Sequence, residues 1–192
     1  MRSHGERFAR VPLHNALMKL TRGLRQRLKI GPPVTLRAAR PGDGVGALDV
    51  IHSAVLVGAQ AHYSQPERDA WANSPTADGL ETAMLSGDTV VAQNRSGQMI
   101  GFMTLGPDGY LDFAYVLPDH IGTGLSDCLY DEIEDIATTR RYAVLSCEAS
   151  LLSRSFLQRK GWHVVARQTV VRDGVGLTNF RMEKPFTASP KS

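Results

Sequence analysis

Residues 115–137 read YVLPDHIGTGLSDCLYDEIEDIA, and the fold turns on this stretch. A strand runs into Pro118, a short loop carries Gly122 and Gly124, and a helix follows. The helix has an apolar seam of Leu125, Cys128, Leu129, Ile133, Ile136 and Ala137, with Asp127, Asp131, Glu134 and Asp135 on its wet face. Glycines without a Cβ let the loop backbone approach a ligand closely, and the helix N-terminus behind it favours negative charge. The pattern therefore suits a phosphate or pyrophosphate cradle. It is not a Walker loop, because no Lys follows Gly124, and it lacks the third glycine of a dinucleotide fingerprint. A plain loop-to-helix turn reads the same way, so the glycines alone leave both readings open.

Working outward, Val34–Ala39 reads as a strand, the region from Val45 to about Ala61 as a helix, and Gln65 to about Leu85 as a second, broken helical region. Thr89–Gln93 and Met99–Leu105 form a hairpin across Asn94-Arg95-Ser96-Gly97, and Tyr110–Leu117 is the strand that enters the loop. After the central helix, which reaches about Arg140, come a strand at Tyr142–Cys147 and a helix at Leu151–Lys160 that stops at Gly161. A last hairpin, Trp162–Val171 and Val175–Met182, turns at Arg172-Asp173-Gly174. This order predicts an α+β (mixed α/β) domain with a mixed sheet of about seven strands and helices on both faces.

The chain of 192 residues has room for one ordinary domain plus a tail. With 42% hydrophobic and 21% charged residues it is neither disordered, collagen-like nor membrane-spanning in composition. Two cysteines are too few for a disulfide framework, and the six histidines show no metal-ligand spacing, so no metal is expected. With no apolar run of roughly 20 residues and no secretory signal pattern, the expected location is cytoplasmic. The net charge of +3 hides an asymmetry: residues 1–33 hold eight Lys/Arg against Glu6 alone, net +7, and the rest holds 14 basic against 18 acidic groups, net −4. Leu13, Leu17, Leu20, Leu24 and Leu28 recur at helical spacing among Lys19, Arg22, Arg25 and Lys29, which predicts a basic amphipathic helix closed by Gly31-Pro32-Pro33. That extension can pack on its own domain, serve a homodimer, be a functionless extension, or contact nucleic acid or an anionic membrane. Residues 34–186 are the expected domain and 187–192 a C-terminal tail.

With these elements in place, the chain resembles the GNAT superfamily of acyl-CoA-dependent N-acyltransferases, in a bacterial subgroup of undefined acceptor. Val116-Leu117-Pro118 matches the family's V-x-P lead-in, and Ile121-Gly122-Thr123-Gly124-Leu125-Ser126 occupies its Q/R-x-x-G-x-G/A loop. Glu148-Ala149-Ser150, Phe156 with Gly161-Trp162, the Tyr63-Ser64 to Trp71 segment and Asn179-Phe180-Arg181-Met182-Glu183-Lys184 extend the likeness over about Leu36 to Phe186. The resemblance implies a twisted, mostly antiparallel central sheet. It also implies transfer of an acetyl group from acetyl-CoA, as co-substrate, to a primary amine of a small molecule or peptide by direct attack in a ternary complex. A catalytically lapsed acyl-CoA-binding or regulatory module is the alternative. Three departures keep it open: Ile121 replaces the usual Gln or Arg, Ser126 replaces Gly or Ala, and Leu157 stands where many members carry a proton-donating tyrosine.

The same resemblance assigns cofactor contacts to Tyr115, Val116, Leu117, Ile121, Gly122, Thr123, Gly124, Leu125 and Ser126, with Ser150 and Phe156 from the later strand end and helix. Val116 is expected to pair with the pantetheine arm. Asp112 is the favoured general base, because alternation groups it with Ala114 and Val116 on one face of a strand expected near the sheet centre. Glu148 is the second candidate, and Tyr110, facing as Asp112 does, can relay or donate a proton. Each has a structural reading too: Asp112 as a satisfied carboxylate, Glu148 as an ion-pair or capping partner, Tyr110 as a strand-surface aromatic.

Overall fold

The computed structural model describes residues 34–186. The basic helix expected within residues 1–33, the tail at 187–192 and every contact assigned to them lie outside the described residues. The first half of the chain supplies β1 (Thr35–Ala38), α1 (Asp43–Ser53), α2 (Gln65–Ala72), α3 (Ala77–Ser86), β2 (Asp88–Gln93), β3 (Met99–Leu105) and β4 (Leu111–Val116). The second supplies α4 (Leu125–Arg140), β5 (Val144–Ser150), α5 (Leu151–Arg159), β6 (His163–Arg172) and β7 (Val175–Pro185). No helix among the described residues is long and apolar enough to cross a membrane.

Local chemistry sets the corners. Asn94 Oδ1 accepts from the Ser96 and Gln98 amides to close the β2–β3 turn, an Asx arrangement. Ser64 and Glu67 form a reciprocal capping box at the start of α2, and Ser150 Oγ caps α5 by accepting from the Ser153 amide at 3.0 Å. The β6–β7 hairpin turns through Asp173 (φ 48°) and Gly174 (φ 77°), the paired left-handed residues of a tight two-residue loop.

Seven strands make two antiparallel sheets, in the orders β1-β2-β3-β4 and β5-β7-β6. They meet at a parallel bridge between Tyr110 and Ser146, where the Ser146 N–H donates to Gly109 O at 3.1 Å. That seam gives the seven-stranded assembly its mixed character. Alternation on β2 sends Val90 and Ala92 to one core with Leu129 and Ile133 of α4, and Val91 to the other with Val50 of α1 and Met84 of α3. Helices consequently cover both faces, and each fully buried aliphatic contributes about 1.5–3 kcal/mol.

Three element boundaries depart from the sequence expectation, the simplest being β7, which runs on past Met182 to Pro185 opposite Val144. The strand expected at Tyr142–Cys147 runs instead from Val144 to Ser150. Tyr142 is drawn off by hydrogen bonds from its hydroxyl to Pro107 O and Gly106 O, while Glu148 and Ala149 continue the ladder opposite Arg181 and Phe180. The helix expected to reach about Ala61 is α-helical to Ser53 and then widens into a π-helical turn at Ala54–Gly58. Such turns recur at functional sites, and Ala54 and Val55 face the cavity described below.

Gly101 of β3 marks how tightly β4 is held. A Cβ there would stand 2.8 Å from Val116 Cγ1 and 2.9 Å from Tyr115 O. Gly101→Ala is expected to destabilise the fold by about 1–3 kcal/mol, an overpacking cost, read as a lower urea midpoint at unchanged m-value. A midpoint equal to wild type would show that β4 can shift freely.

Candidate active site

Past the Tyr110–Ser146 bridge, β4 and β5 part, and a cavity of about 600 Å³ occupies the gap. The Leu117 N–H donates to Ile100 O of β3 at 2.9 Å, so alternation turns the Val116 and Ala114 amides toward the gap. Asp112 lies on β4, the inner edge of the four-stranded sheet and, across the seam, the fourth of the seven described strands.

One end of the cavity is the glycine loop. Pro118–His120 makes a single tight turn, after which the Ile121 amide bonds Pro118 O at 3.0 Å and the Thr123 amide bonds His120 O at 3.4 Å. α4 then starts behind Gly124, at φ 91° and with no side-chain cap, so its first-turn amides lack intrahelical partners. Apart from each glycine and its chain neighbours, no atom of the described residues lies within 4 Å of where a Cβ would stand on Gly122 or Gly124. The open glycine face and uncapped helix end fit a phosphate-bearing ligand.

A basic side chain at the end of α5 reaches the acidic start of α4. Lys160, at the end of α5, bonds the carboxylates of Asp127 and Asp131 at 2.9 and 3.2 Å, so the acidic first turns of α4 are offset. Arg159 lines the cavity alongside Phe156. Ile121 serves packing: its Cδ1 lies 3.5 Å from the Cβ position of Gly58, seating the loop on the end of the π-helical turn.

Among the residues assigned to the cofactor, Tyr115, Val116, Ile121, Gly122, Gly124 and Ser126 line the cavity. Ser150 and Phe156 do as well. Leu117, Thr123 and Leu125 do not. Leu125 is fully buried in the core under α4, Leu117 packs into both cores, and the Thr123 hydroxyl donates back to His120 O at 2.8 Å.

Tyr110, Asp112 and Glu148 all face the gap, from opposite sides of the parting strands. Asp112 is exposed along the cleft, yet the walls around it strip part of its hydration, and that effect, with the charge of Asp108, raises its pKa. Burial, then the charges of Glu148 and Asp112, push the Tyr110 hydroxyl up to about 12, so it stays protonated at neutral pH. Glu148 accepts from Asn179 Nδ2 at 3.1 Å, whereas Asn179 Oδ1 is buried without a hydrogen-bond partner. Burial and the nearby Glu148 hold the Cys147 thiol at about 12, which keeps it from acting as a nucleophile. Leu157, 2% exposed, contributes only methyl groups. Among the described residues no three His, Cys, Asp or Glu side chains gather as a metal site.

The far wall is aromatic. Trp71 Nε1 donates to the Tyr115 hydroxyl at 3.2 Å, and Tyr63 stands edge-on to Trp71 with ring centroids 5.4 Å apart. Val170, Arg172 and Leu177 of the last hairpin complete it. Sequence reasoning did not single out Arg159 or Arg172: each reads as an ordinary solvated position, and only the tertiary fold turns it to the cavity.

Comparison with known proteins places this architecture in a family. The family model for the acetyltransferase (GNAT) domain matches residues 59–184, and the chain belongs to that family. It is 27% identical over 149 residues to "Uncharacterized N-acetyltransferase YafP" of Escherichia coli (strain K12), covering 78% of this chain and 94% of that protein. The crystal structure of a GCN5-related N-acetyltransferase from Rhodopseudomonas palustris superposes with a TM-score of 0.74 at 27% identity, covering 83% of this chain and 99% of that one. The PaiA N-acetyltransferase of Thermoplasma acidophilum, solved in complex with coenzyme A, shares the fold at a TM-score of 0.65 and 17% identity, with 80% and 99% covered. The chain is therefore an acetyltransferase of the GNAT family.

Tyr63 ties the cavity walls together: its hydroxyl donates to Thr178 O at 2.7 Å and accepts from the Leu151 amide at 2.9 Å. Tyr63→Phe removes both bonds and orphans a helix-start amide, at an expected cost of about 1–3 kcal/mol. Denaturant unfolding measures it, and a loss under a few tenths would mean that water replaces the hydroxyl.

Proposed function

We propose that this protein transfers the acetyl group of acetyl-CoA to a primary amine of a small molecule or peptide, by direct attack within a ternary complex. One observation carries the reading: a single cavity joins the glycine loop at Gly122 and Gly124 to the carboxylates of Asp112 and Glu148. Acetyl-CoA brings the activated thioester. The uncapped amides at the start of α4 take its phosphates, and Arg159 supplies the cation that Ile121 does not. Val116, with its amide turned to the gap, holds the extended arm as a strand edge would. Asp112 takes the proton from the attacking amine, with Glu148 beside the same gap as second base. Tyr110, kept protonated, is the hydroxyl that can protonate the leaving thiolate in place of the absent tyrosine at Leu157.

The lapsed, acyl-CoA-binding reading is favoured by one observation, the buried methyl groups of Leu157 at the usual donor position. It predicts acetyl-CoA binding without thiol release for any amine.

Calorimetric titration with acetyl-CoA separates these readings when paired with a thiol-release assay. Wild type is expected to bind and Gly124→Trp to lose binding, since an indole would fill the open glycine face; equal binding by both would remove the cradle. Asp112 must be deprotonated to accept a proton, so turnover is expected to be lost as pH falls through its raised pKa and to level off above it. Asp112→Asn is expected to lower kcat by about 10²–10⁴-fold, to flatten that acid limb and to leave acetyl-CoA affinity within about twofold. An unchanged pH profile would shift the role to Glu148.

A further inference from the structure

The cavity beyond the parting strands is lined by groups of both charges, and the acetyl transfer reading leaves one cation, Arg172, unused. The Asp112 and Glu148 carboxylates and the buried, unpartnered Asn179 Oδ1 are all hydrogen-bond acceptors. Such a set suits an amine or ammonium group, which has only protons to offer. Arg172 ends β6 opposite Val175 and lines the cavity. Its guanidinium makes no hydrogen bond or ion pair among the described residues. The rings of Tyr63, Trp71 and Tyr115 lie on the wall of the same cavity. The Tyr115 hydroxyl senses both charges: burial dominates and holds it at about 12, while Arg172 draws it down and Asp112 pushes it up.

An arginine that is exposed on the cavity lining beside an aromatic wall, with no ion pair among the described residues, can recognise a carboxylate or phosphate in two-pronged fashion. We propose that the acceptor is an amine that also carries an anionic group, its amino end at Asp112 and Glu148, its apolar or aromatic body against Trp71 and Tyr115, and its anion on Arg172. Arg172 is thus a specificity determinant of the acceptor site. This inference rests on the acetyl transfer reading.

The test compares acids with their neutral amides: p-aminomethylbenzoate and 4-(2-aminoethyl)benzoate, each against the matching benzamide. Thiol release from acetyl-CoA gives kcat/KM, and calorimetry on the full chain with acetyl-CoA present gives affinity. The acids are expected to exceed the amides by about ten- to a hundredfold, the worth of one charge-assisted contact. Arg172→Gln is expected to bring the acid-to-amide ratio to about one, and Arg172→Glu to shift preference to p-xylylenediamine. A wild-type ratio near one in both turnover and binding, or a ratio that survives in both variants, overturns the proposal. Failure of acetyl-CoA itself to bind is a different result and overturns the parent reading instead.

Discussion

Everything about this molecule depends on two strands that touch once and then separate. The contact is small: the Ser146 amide bonds Gly109 O, and Tyr110 bridges Ser146 in parallel. Gly109, at φ 82°, sits where a Cβ would come within 2.9 Å of Val144 O, so the vertex admits only glycine without a shift. Beyond it, among the described residues, β4 is paired only to β3 and β5 only to β7. Each then faces the gap with backbone groups that need partners, since unpaired N–H and C=O groups are costly once water is excluded. A sheet interior that leaves such edges unpaired is arranged to receive an extended ligand.

Each flank of the gap is braced by its own ion pairs and hydrogen bonds. On one side, Arg37 reaches Asp43 with two bonds of 2.7 Å, and the Arg40 amide adds a third. Burial of Asp43 opposes ionisation, but these bonds outweigh it and hold its pKa below the usual value. That share of stability is present above the ordinary aspartate range and is lost as pH falls through the lowered pKa. On the other side, Lys184 of β7 bonds Glu134 of α4 and Lys160 O, and Trp162 Nε1 donates to the Tyr130 hydroxyl at 2.6 Å. Tyr63 joins the two flanks across the cavity floor. The gap is therefore a stable feature of the packing.

Much of this was legible in the sequence. Proline, two glycines and an amphipathic helix in 23 residues fix a strand, a loop and α4, and the hairpin turn at Asn94–Gly97 follows from local chemistry alone. Asp112 and Glu148 were readable because carboxylates on strands demand an explanation. The parting of the sheet was not, since it is a long-range property of which edges find partners. The limits of β5 are set the same way: the local pattern ends the strand at Cys147, and pairing with β7 carries it on to Ser150. Arg159 and Arg172 carry no local signal, because a solvated arginine and one turned into a cleft have the same sequence. Leu117, Thr123 and Leu125 belong to the motif by position, but their side chains serve the core or the turn.

On the proposed reading, the free inner edge of β4 and the open start of α4 receive acetyl-CoA. Residue-resolved hydrogen exchange on the intact chain, with and without acetyl-CoA, addresses it most directly. The account predicts slowed exchange at the Val116 amide and at the first-turn amides of α4, Leu125 to Asp127, with β1 unaffected. Protection confined to other elements, or none on adding acetyl-CoA at saturating concentration, would contradict it.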